Sequence, residues 1–231
     1  GTCRTEYIYN LVSFDGEVND EVGYPDNDNR DGKPVTTDEW SVVGMSCRFP
    51  GGVSGPDSFW ELMSTGKETS TGIPYGRWDS DALLAGLSLS KEEKMRASHG
   101  SFVTDMESFD ATFFGISLAE AKVMDPQQRA LMECTYLAFK DAGYTMEGLR
   151  GLNCGVFVAV TGGGSTSARG LESVVRSGMQ ETSVYDATSS SSSIAAGRMS
   201  YVFDLEGLNS ALGTAFSSSL VALHAAVSSL E

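Results

Sequence analysis

The segment from Asn209 to Leu230 constrains the fold of this 231-residue chain more than any other. Its pattern predicts a short strand over Ser210–Ala215, a tight turn at Phe216 and a helix over Ser217–Leu230. Such a turn presents one side chain at a helix N-terminus, where backbone N–H groups and the helix dipole stabilise an anion. A cysteine there would be held as a reactive thiolate. Phe216 has neither a lone pair to attack with nor a proton to lose, so the turn lacks a reacting atom.

Strands and helices alternate along the rest of the chain, which indicates a layered α/β fold. A capping box of Ser117 and Glu120 begins the clearest helical region, inside which Asp125 and Pro126 form a second N-terminal signal. Gly66 ends an earlier helix. The predicted elements are a buried strand at Ser41–Ser46, a helix at Asp57–Met63, loops with short helical turns over Thr65–Gly100, helical structure over Ser117–Gly143, and a second buried strand at Cys154–Val160.

Two helices carry stripes of residues that share one face at helical spacing, and the stripe in the first helix is apolar. The stripes are Leu131, Cys134, Ala138 and Ala142 in the first helix, and Leu220, Leu223, His224 and Val227 in the helix after the turn.

The net charge of −15 argues against nucleic acid or an anionic membrane surface as a partner. Residues 1–39 carry ten acidic residues against three basic ones, a net charge of −7, and form an acidic extension or linker. Tyr7–Val12 could add one short strand. Asp26–Gly32 resembles a calcium loop in composition, but it lacks the terminal Glu of an EF-hand. No apolar run approaches the roughly 20 residues of a membrane-spanning helix.

The four cysteines, Cys3, Cys47, Cys134 and Cys154, are scattered with neither CxxC spacing nor a nearby histidine. They form neither a zinc pattern nor a disulfide framework, which favours a reducing compartment. We expect Cys47 and Cys134 to be small core residues. The Gly162–Ser167 segment lacks the lysine and spacing of a phosphate-binding loop. We therefore predict no metal and no cofactor.

Several motifs resemble the β-ketoacyl synthases, above all the ketosynthase domains of polyketide synthases. They run in that family's order: Val42–Gly52, Phe109–Ser117, Met124–Arg129, Ala195–Leu205 and Thr214–His224. The resemblance implies the N-terminal half of a thiolase-type fold, with layered α/β/α architecture and a mixed sheet. It divides the chain into the extension at 1–39 and a ketosynthase-like domain at 40–231.

The resemblance also implies what the turn should carry. The family has a Thr-Ala-Cys-Ser-Ser-Ser-Leu run in which the cysteine accepts the growing acyl chain, and Phe216 occupies the cysteine position. Two histidines and a lysine complete the family's site, and we expect them beyond Glu231. Phe216 would also fill the base of an acyl channel. The resemblance thus implies a pseudoenzyme of acyltransferase ancestry with no catalytic residue in this chain.

Three other residues are candidates to replace the missing catalytic groups, but none of them fits that role. His224 lies two turns past position 216, where the family has a packing residue. His99 falls in a polar loop. Ser217 would need a base within hydrogen-bond reach, and we expect it inside the helix, where it caps.

Three functions remain open. The first is an inactive scaffold or accessory subunit of a larger protein assembly, joined to a partner or to a second copy through the elbow-strand face around Ser210–Ala215. The second is the non-nucleophilic half of a split or heterodimeric polyketide or fatty-acid synthase, beside a chain that carries out the condensation. The third is a module that binds acyl groups or an acyl carrier protein.

The chain begins with Gly rather than Met, which indicates processing, truncation or incomplete sequence. With the absence of a signal peptide, we expect an intracellular protein of the cytoplasm or of an organelle such as a plastid.

Overall fold

The computed structural model describes residues 8–13, 41–74, 77, 79–160, 185, 188 and 191–230, and strands and helices alternate over these ranges. The strands are β1 (Ile8–Ser13), β2 (Val42–Arg48), β3 (Thr71–Gly72), β4 (His99–Gly100), β5 (Val156–Ala159) and β6 (Asn209–Leu212). The helices are α1 (Pro56–Thr65), α2 (Ser80–Ala85), α3 (Lys91–Ala97), α4 (Leu118–Val123), α5 (Pro126–Asp141), α6 (Met146–Leu149), α7 (Ser192–Phe203) and α8 (Ser218–Ser228), with a 3₁₀ turn at Ala215–Ser217. The expected α/β character is confirmed.

The described strands form pairs of both orientations. β1 and β2 are antiparallel, with a register shift between Val12 and Ser13, and β3 and β4 are also antiparallel. β5 and β6 are parallel, from Val156 opposite Asn209 to Ala159 opposite Leu212. A parallel pair needs a crossover connection, and α7 lies within it. The N-terminal strand occurs one residue later than predicted, while the rest of residues 1–39 and the Gly162–Ser167 segment fall outside the described ranges.

The strand predicted as buried at Ser41–Ser46 is buried on one face only. β2 packs against α5 so closely that a side chain on Gly44 would overlap the Ala138 carbonyl oxygen. Val43 and Met45 point the other way and are exposed. The strand predicted as buried is therefore only partly buried, although both α1 and α5 contact it.

The helical region predicted over 117–143 is divided at Met124. The Ser117 hydroxyl accepts the Glu120 N–H at 3.1 Å and begins α4, and the Asp125 carboxylate accepts the Gln127 N–H at 2.8 Å and begins α5. Only half of the predicted capping box forms, because the Glu120 carboxylate pairs with Arg198 instead. The two N-terminal signals in the sequence thus begin two helices rather than one.

The main core lies where α5 and α7 meet the β5–β6 pair. Its most completely buried large side chains are Met124, Met132, Leu149, Met199 and Phe203. The predicted stripe on α5 is confirmed, since Leu131, Cys134 and Ala138 are buried and Ala142 is half-buried. α1 ends as expected at Gly66, whose φ is 60°. None of the described helices has the length and apolarity to cross a bilayer.

Candidate functional site

The predicted strand, turn and helix are present, with a shorter strand than expected. β6 ends at Leu212 rather than at Ala215, because its ladder with β5 stops there. Residues 213 and 214 then lead into the 3₁₀ turn that carries Phe216, and α8 follows directly. We call residues 213–218 the elbow. α8 packs against both β5 and β6, so the elbow is held between a parallel strand pair and a helix.

The backbone of the elbow is bent into an uncommon conformation. Ala215 has a φ of 59°, in the left-handed region that alanine avoids at a cost of about 1–2 kcal/mol. Gly213 lies against β5, where an added side chain would come within 3.1 Å of the Val160 carbonyl oxygen. The surroundings therefore impose this bend, as is common where a fold must present one particular side chain.

Three hydroxyl groups hold the bend. The Ser218 hydroxyl accepts the Thr214 N–H at 2.8 Å and donates to the Ala215 carbonyl oxygen at 2.7 Å. The Ser217 hydroxyl donates to the Thr214 carbonyl oxygen at 3.1 Å and lies 2.9 Å from the Thr214 hydroxyl. Thr214 and Ser218 give no functional signal in the sequence, because serine and threonine are common at helix starts.

Phe216 projects from the elbow and is fully exposed. No described residue encloses the ring, and the expectation that it fills the base of an acyl channel stays a prediction. Its position at the end of a strained turn, next to the first turn of α8, is nevertheless the position that the sequence predicted. The elbow thus presents a hydrocarbon ring where a reactive group would have both access and the helix dipole.

Ser217 lies outside α8, contrary to expectation. It ends the 3₁₀ turn and precedes the first residue of α8, and its hydroxyl makes no capping bond to that helix. The reason is local, since the hydroxyl is already engaged with Thr214. It is therefore a turn residue rather than a cap.

The α8 residues predicted to share one face are largely exposed. Leu220 is 71% and Leu223 41% exposed, and His224 is exposed as well, whereas Ser218 and Ala222 are buried. The helix packs against β5 and β6, and its buried residues are Ser218 and Ala222. Phe216, Leu220 and Leu223 are spaced four and three residues apart and share one exposed side, which we call the elbow face.

The two histidines lie in separate elements of the described structure. His99 lies in β4, where its Nδ1 is 2.9 Å from the Met95 carbonyl oxygen and 3.1 Å from the Ser98 hydroxyl. Both contacts are local. His224 is on the exposed side of α8. Within the described ranges, no group of three or more His, Cys, Asp or Glu side chains is placed to hold a metal ion.

The described cysteines are buried, free thiols rather than nucleophiles. They are Cys47, Cys134 and Cys154. Burial raises the pKa of Cys134 to about 11 and raises the pKa of the other two thiols as well. A catalytic cysteine needs the opposite shift. The expectation that Cys47 and Cys134 are small core residues is confirmed.

A family model for the β-ketoacyl synthase N-terminal domain matches residues 38–231. Among curated relatives, the chain is 39% identical over 197 residues to a hybrid polyketide–nonribosomal peptide synthetase of Aspergillus candidus. It is 42% identical over 201 residues to an erythronolide synthase of Saccharopolyspora erythraea. These alignments cover 85% and 84% of the chain but only 8% and 6% of the relatives.

Solved ketosynthase structures have the same fold. The ketosynthase from module 6 of the bacillaene synthase of Bacillus subtilis superposes with a TM-score of 0.61 at 30% identity, covering 81% of this chain and 28% of that one. An oxazolomycin ketosynthase domain of Streptomyces albus gives 0.64 at 31% identity, covering 81% and 31%. The fold is thus the thiolase type, and the relatives are parts of large multidomain synthases. The comparisons give no support to an acyltransferase ancestry. The chain belongs to the β-ketoacyl synthase family, to whose N-terminal domain residues 38–231 correspond.

Proposed function

We propose that this chain is a catalytically inactive ketosynthase-like protein that serves as a scaffold or accessory subunit of a larger protein assembly. The observation that carries the proposal is Phe216, which stands at the elbow where the family's pattern has its acyl-accepting cysteine. A phenyl ring can neither attack a thioester nor be activated by the helix dipole.

The neighbouring groups do not replace the missing nucleophile. The hydroxyls of Ser217 and Ser218 are committed to the Thr214 and Ala215 backbone. A serine nucleophile requires a base that takes its proton, and both hydroxyls donate theirs to carbonyl oxygens. The buried thiols stay protonated at neutral pH, because burial raises each pKa.

The elbow face supports a role in assembly. Phe216, Leu220 and Leu223 place apolar side chains on one exposed side of a turn and helix. An exposed apolar patch of this kind marks an interaction surface, and aromatic residues anchor such surfaces more often than other side chains do. In this role the phenylalanine supplies contact area rather than chemistry.

Incubation of the purified chain with an acyl thioester, followed by intact-protein mass measurement, tests the loss of acyl loading. We expect no mass increase for the wild type or for Phe216→Ala, whereas Phe216→Cys, which places a thiol at the elbow, is the positive control. Acylation of the wild type would contradict the proposal, because one of its own groups would then be competent.

Native mass spectrometry of the protein isolated from its source tests the assembly role. We expect a stable complex that is lost in Leu220→Glu and Leu223→Glu and kept in Met63→Glu, a matched change on exposed α1. A chain that remains alone, or a complex insensitive to the elbow face, would count against the role.

A second candidate is the non-nucleophilic half of a heterodimeric polyketide or fatty-acid synthase. It is favoured by the relatives, since the chain matches only 3–8% of synthases that carry many domains. The same native mass measurement separates the two candidates: a partner that carries a ketosynthase cysteine and loads an acyl group supports the second, and partners without one support the first.

A further inference from the structure

The Met124–Arg129 segment contains a buried polar side chain that the elbow itself does not use. Gln128, in the first turn of α5, is only 3% exposed. Arg198, in the middle of α7, is 9% exposed. Buried polar groups of this size are costly unless they are hydrogen-bonded, so their partners indicate what they are for.

Both side chains converge on the backbone just before α7. The Gln128 side-chain amide lies 3.3 Å from the Thr188 carbonyl oxygen and 3.3 Å from the Ser191 carbonyl oxygen, and donates to both. The Arg198 guanidinium donates to the same Thr188 oxygen at 3.4 Å. One carbonyl group is thus held from two helices, and a second carbonyl group, three residues later, is held by the glutamine.

Arg198 is itself fixed by a third helix. Its second terminal nitrogen donates to the Glu120 carboxylate of α4 at 2.6 Å, in an ion pair that is largely buried. A forked guanidinium can satisfy a carboxylate and a carbonyl oxygen at the same time, which a lysine ammonium on a single stem cannot do with fixed geometry. Glu120, Arg198 and Gln128 therefore tie α4 and α5 to the point where α7 begins.

The position of α7 matters to the elbow. α7 packs against both β5 and β6, with Ala195, Ala196 and Met199 almost completely buried. β6 ends at Leu212 and leads directly into the elbow. Because packed cores resist small displacements, a shift in the first turn of α7 would be transmitted to β6.

We propose that Gln128 and Arg198 are positioning residues for the elbow, acting through the Thr188 and Ser191 carbonyl groups and through α7. This role goes beyond the proposed function, because it concerns where position 216 is held and not whether it reacts. It also assigns roles within the Met124–Arg129 segment. Asp125 begins α5, and Gln128 positions the start of α7.

A thiol at position 216 is a direct reporter of the elbow. In a Cys3→Ser, Phe216→Cys background the new thiol lies at a helix N-terminus, while the described native thiols are buried with raised pKa values. The test introduces Gln128→Met, which keeps the length of the side chain and removes its donor. Gln127→Met is the matched control, because Gln127 donates to neither carbonyl group.

Two readouts are compared. Hydrogen exchange of the residue 195–199 amides should be about five-fold faster in Gln128→Met than in Gln127→Met, as expected for the loss of a buried hydrogen bond. The pH midpoint for alkylation of the thiol at 216 by iodoacetamide should shift in Gln128→Met and stay fixed in the control.

Identical behaviour of the two variants in both readouts would overturn the proposal. Equal acceleration of exchange in α1, which is remote from these contacts in the sequence, would also overturn it by showing a general loss of stability. If Gln128→Met does not fold, Arg198→Lys serves the same purpose. It keeps a cation for Glu120 and loses the fork, and a midpoint identical to that of the parent would refute the role of Arg198.

Discussion

The hydroxyl of Ser218, the first residue of α8, accepts a hydrogen bond from the backbone N–H of Thr214 at 2.8 Å. The same hydroxyl donates to the Ala215 carbonyl oxygen, so one side chain satisfies two backbone groups of the turn. Ser218 is buried, and water cannot replace it freely. A single serine therefore links the strained turn to the helix that follows.

Replacement of Ser218 by alanine should destabilise the protein. We expect Ser218→Ala to lower the free energy of unfolding by about 1–3 kcal/mol, because it removes two hydrogen bonds, to the Thr214 N–H and to the Ala215 carbonyl oxygen. Urea unfolding monitored by circular dichroism measures the change. Ser219→Ala is the control, since Ser219 is exposed on the same turn of α8. Equal losses in the two variants would contradict the prediction.

Residue 215 should respond to backbone conformation rather than to polarity. We expect Ala215→Val to lower the free energy of unfolding by about 1–3 kcal/mol, because a β-branched side chain is more strained at a φ of 59°. Ala215→Gly should be no less stable than the wild type, since glycine adopts this region without strain. Chemical denaturation of the three proteins decides the matter, and a less stable glycine variant would refute the explanation.

The buried thiol of Cys134 should make the protein less stable in alkali. Its pKa rises from an ordinary value of 9.0 to about 11 through burial. Above pH 9 the unfolded thiol loses its proton while the folded thiol keeps it, so the free energy of unfolding falls as the pH rises from 9 to 11. The thiol's contribution to this fall should be about 2–3 kcal/mol.

Urea titrations at several pH values from 8 to 11 measure this slope. Cys134→Ala should be less stable at pH 8, because it opens a small cavity, yet should show a shallower decline above pH 9. A decline of the same steepness in the variant would show that other groups cause it.

Removing one partner of the Glu120–Arg198 ion pair should lower the free energy of unfolding more than removing both partners. Glu120→Ala leaves a buried guanidinium unpaired, and we expect a loss of about 3–5 kcal/mol. The double variant Glu120→Ala, Arg198→Met removes both charges and should recover part of that loss. A double-mutant cycle by urea denaturation provides the measurement. Additive losses in the double variant would argue against a direct interaction across 2.6 Å.

The features that the sequence predicted well are those decided locally. Asp125 followed by Pro126 is a local start signal that begins α5, and Gly66 adopts the left-handed conformation that ends α1. The strand, turn and helix around Phe216 are adjacent in sequence, so their order was evident without tertiary information. The resemblance of the motifs to a known family predicted the thiolase-type architecture.

The features that the sequence could not predict depend on distant partners. The end of β6 is set by β5, and the exposed side of α8 is set by where the strands lie. Gln128 and Arg198 meet Thr188 from positions 60 and 10 residues away. A glutamine in a helix start gives no sign of such a partner. The exposure of Phe216 likewise follows from its surroundings and not from its hydrophobicity.

The parallel pairing of β5 with β6 also bears on the order of events during folding. Val156 and Asn209 are opposite each other although 53 positions separate them, and closing so long a loop carries a substantial entropic cost before any contact is gained. α4 and α5 form from neighbouring residues and need no such closure. The helical layer should therefore assemble first and the elbow late, leaving Leu220 and Leu223 available to non-native contacts in the interval. Nascent chains would then be most prone to aggregate at the elbow face, which stays exposed in the folded protein.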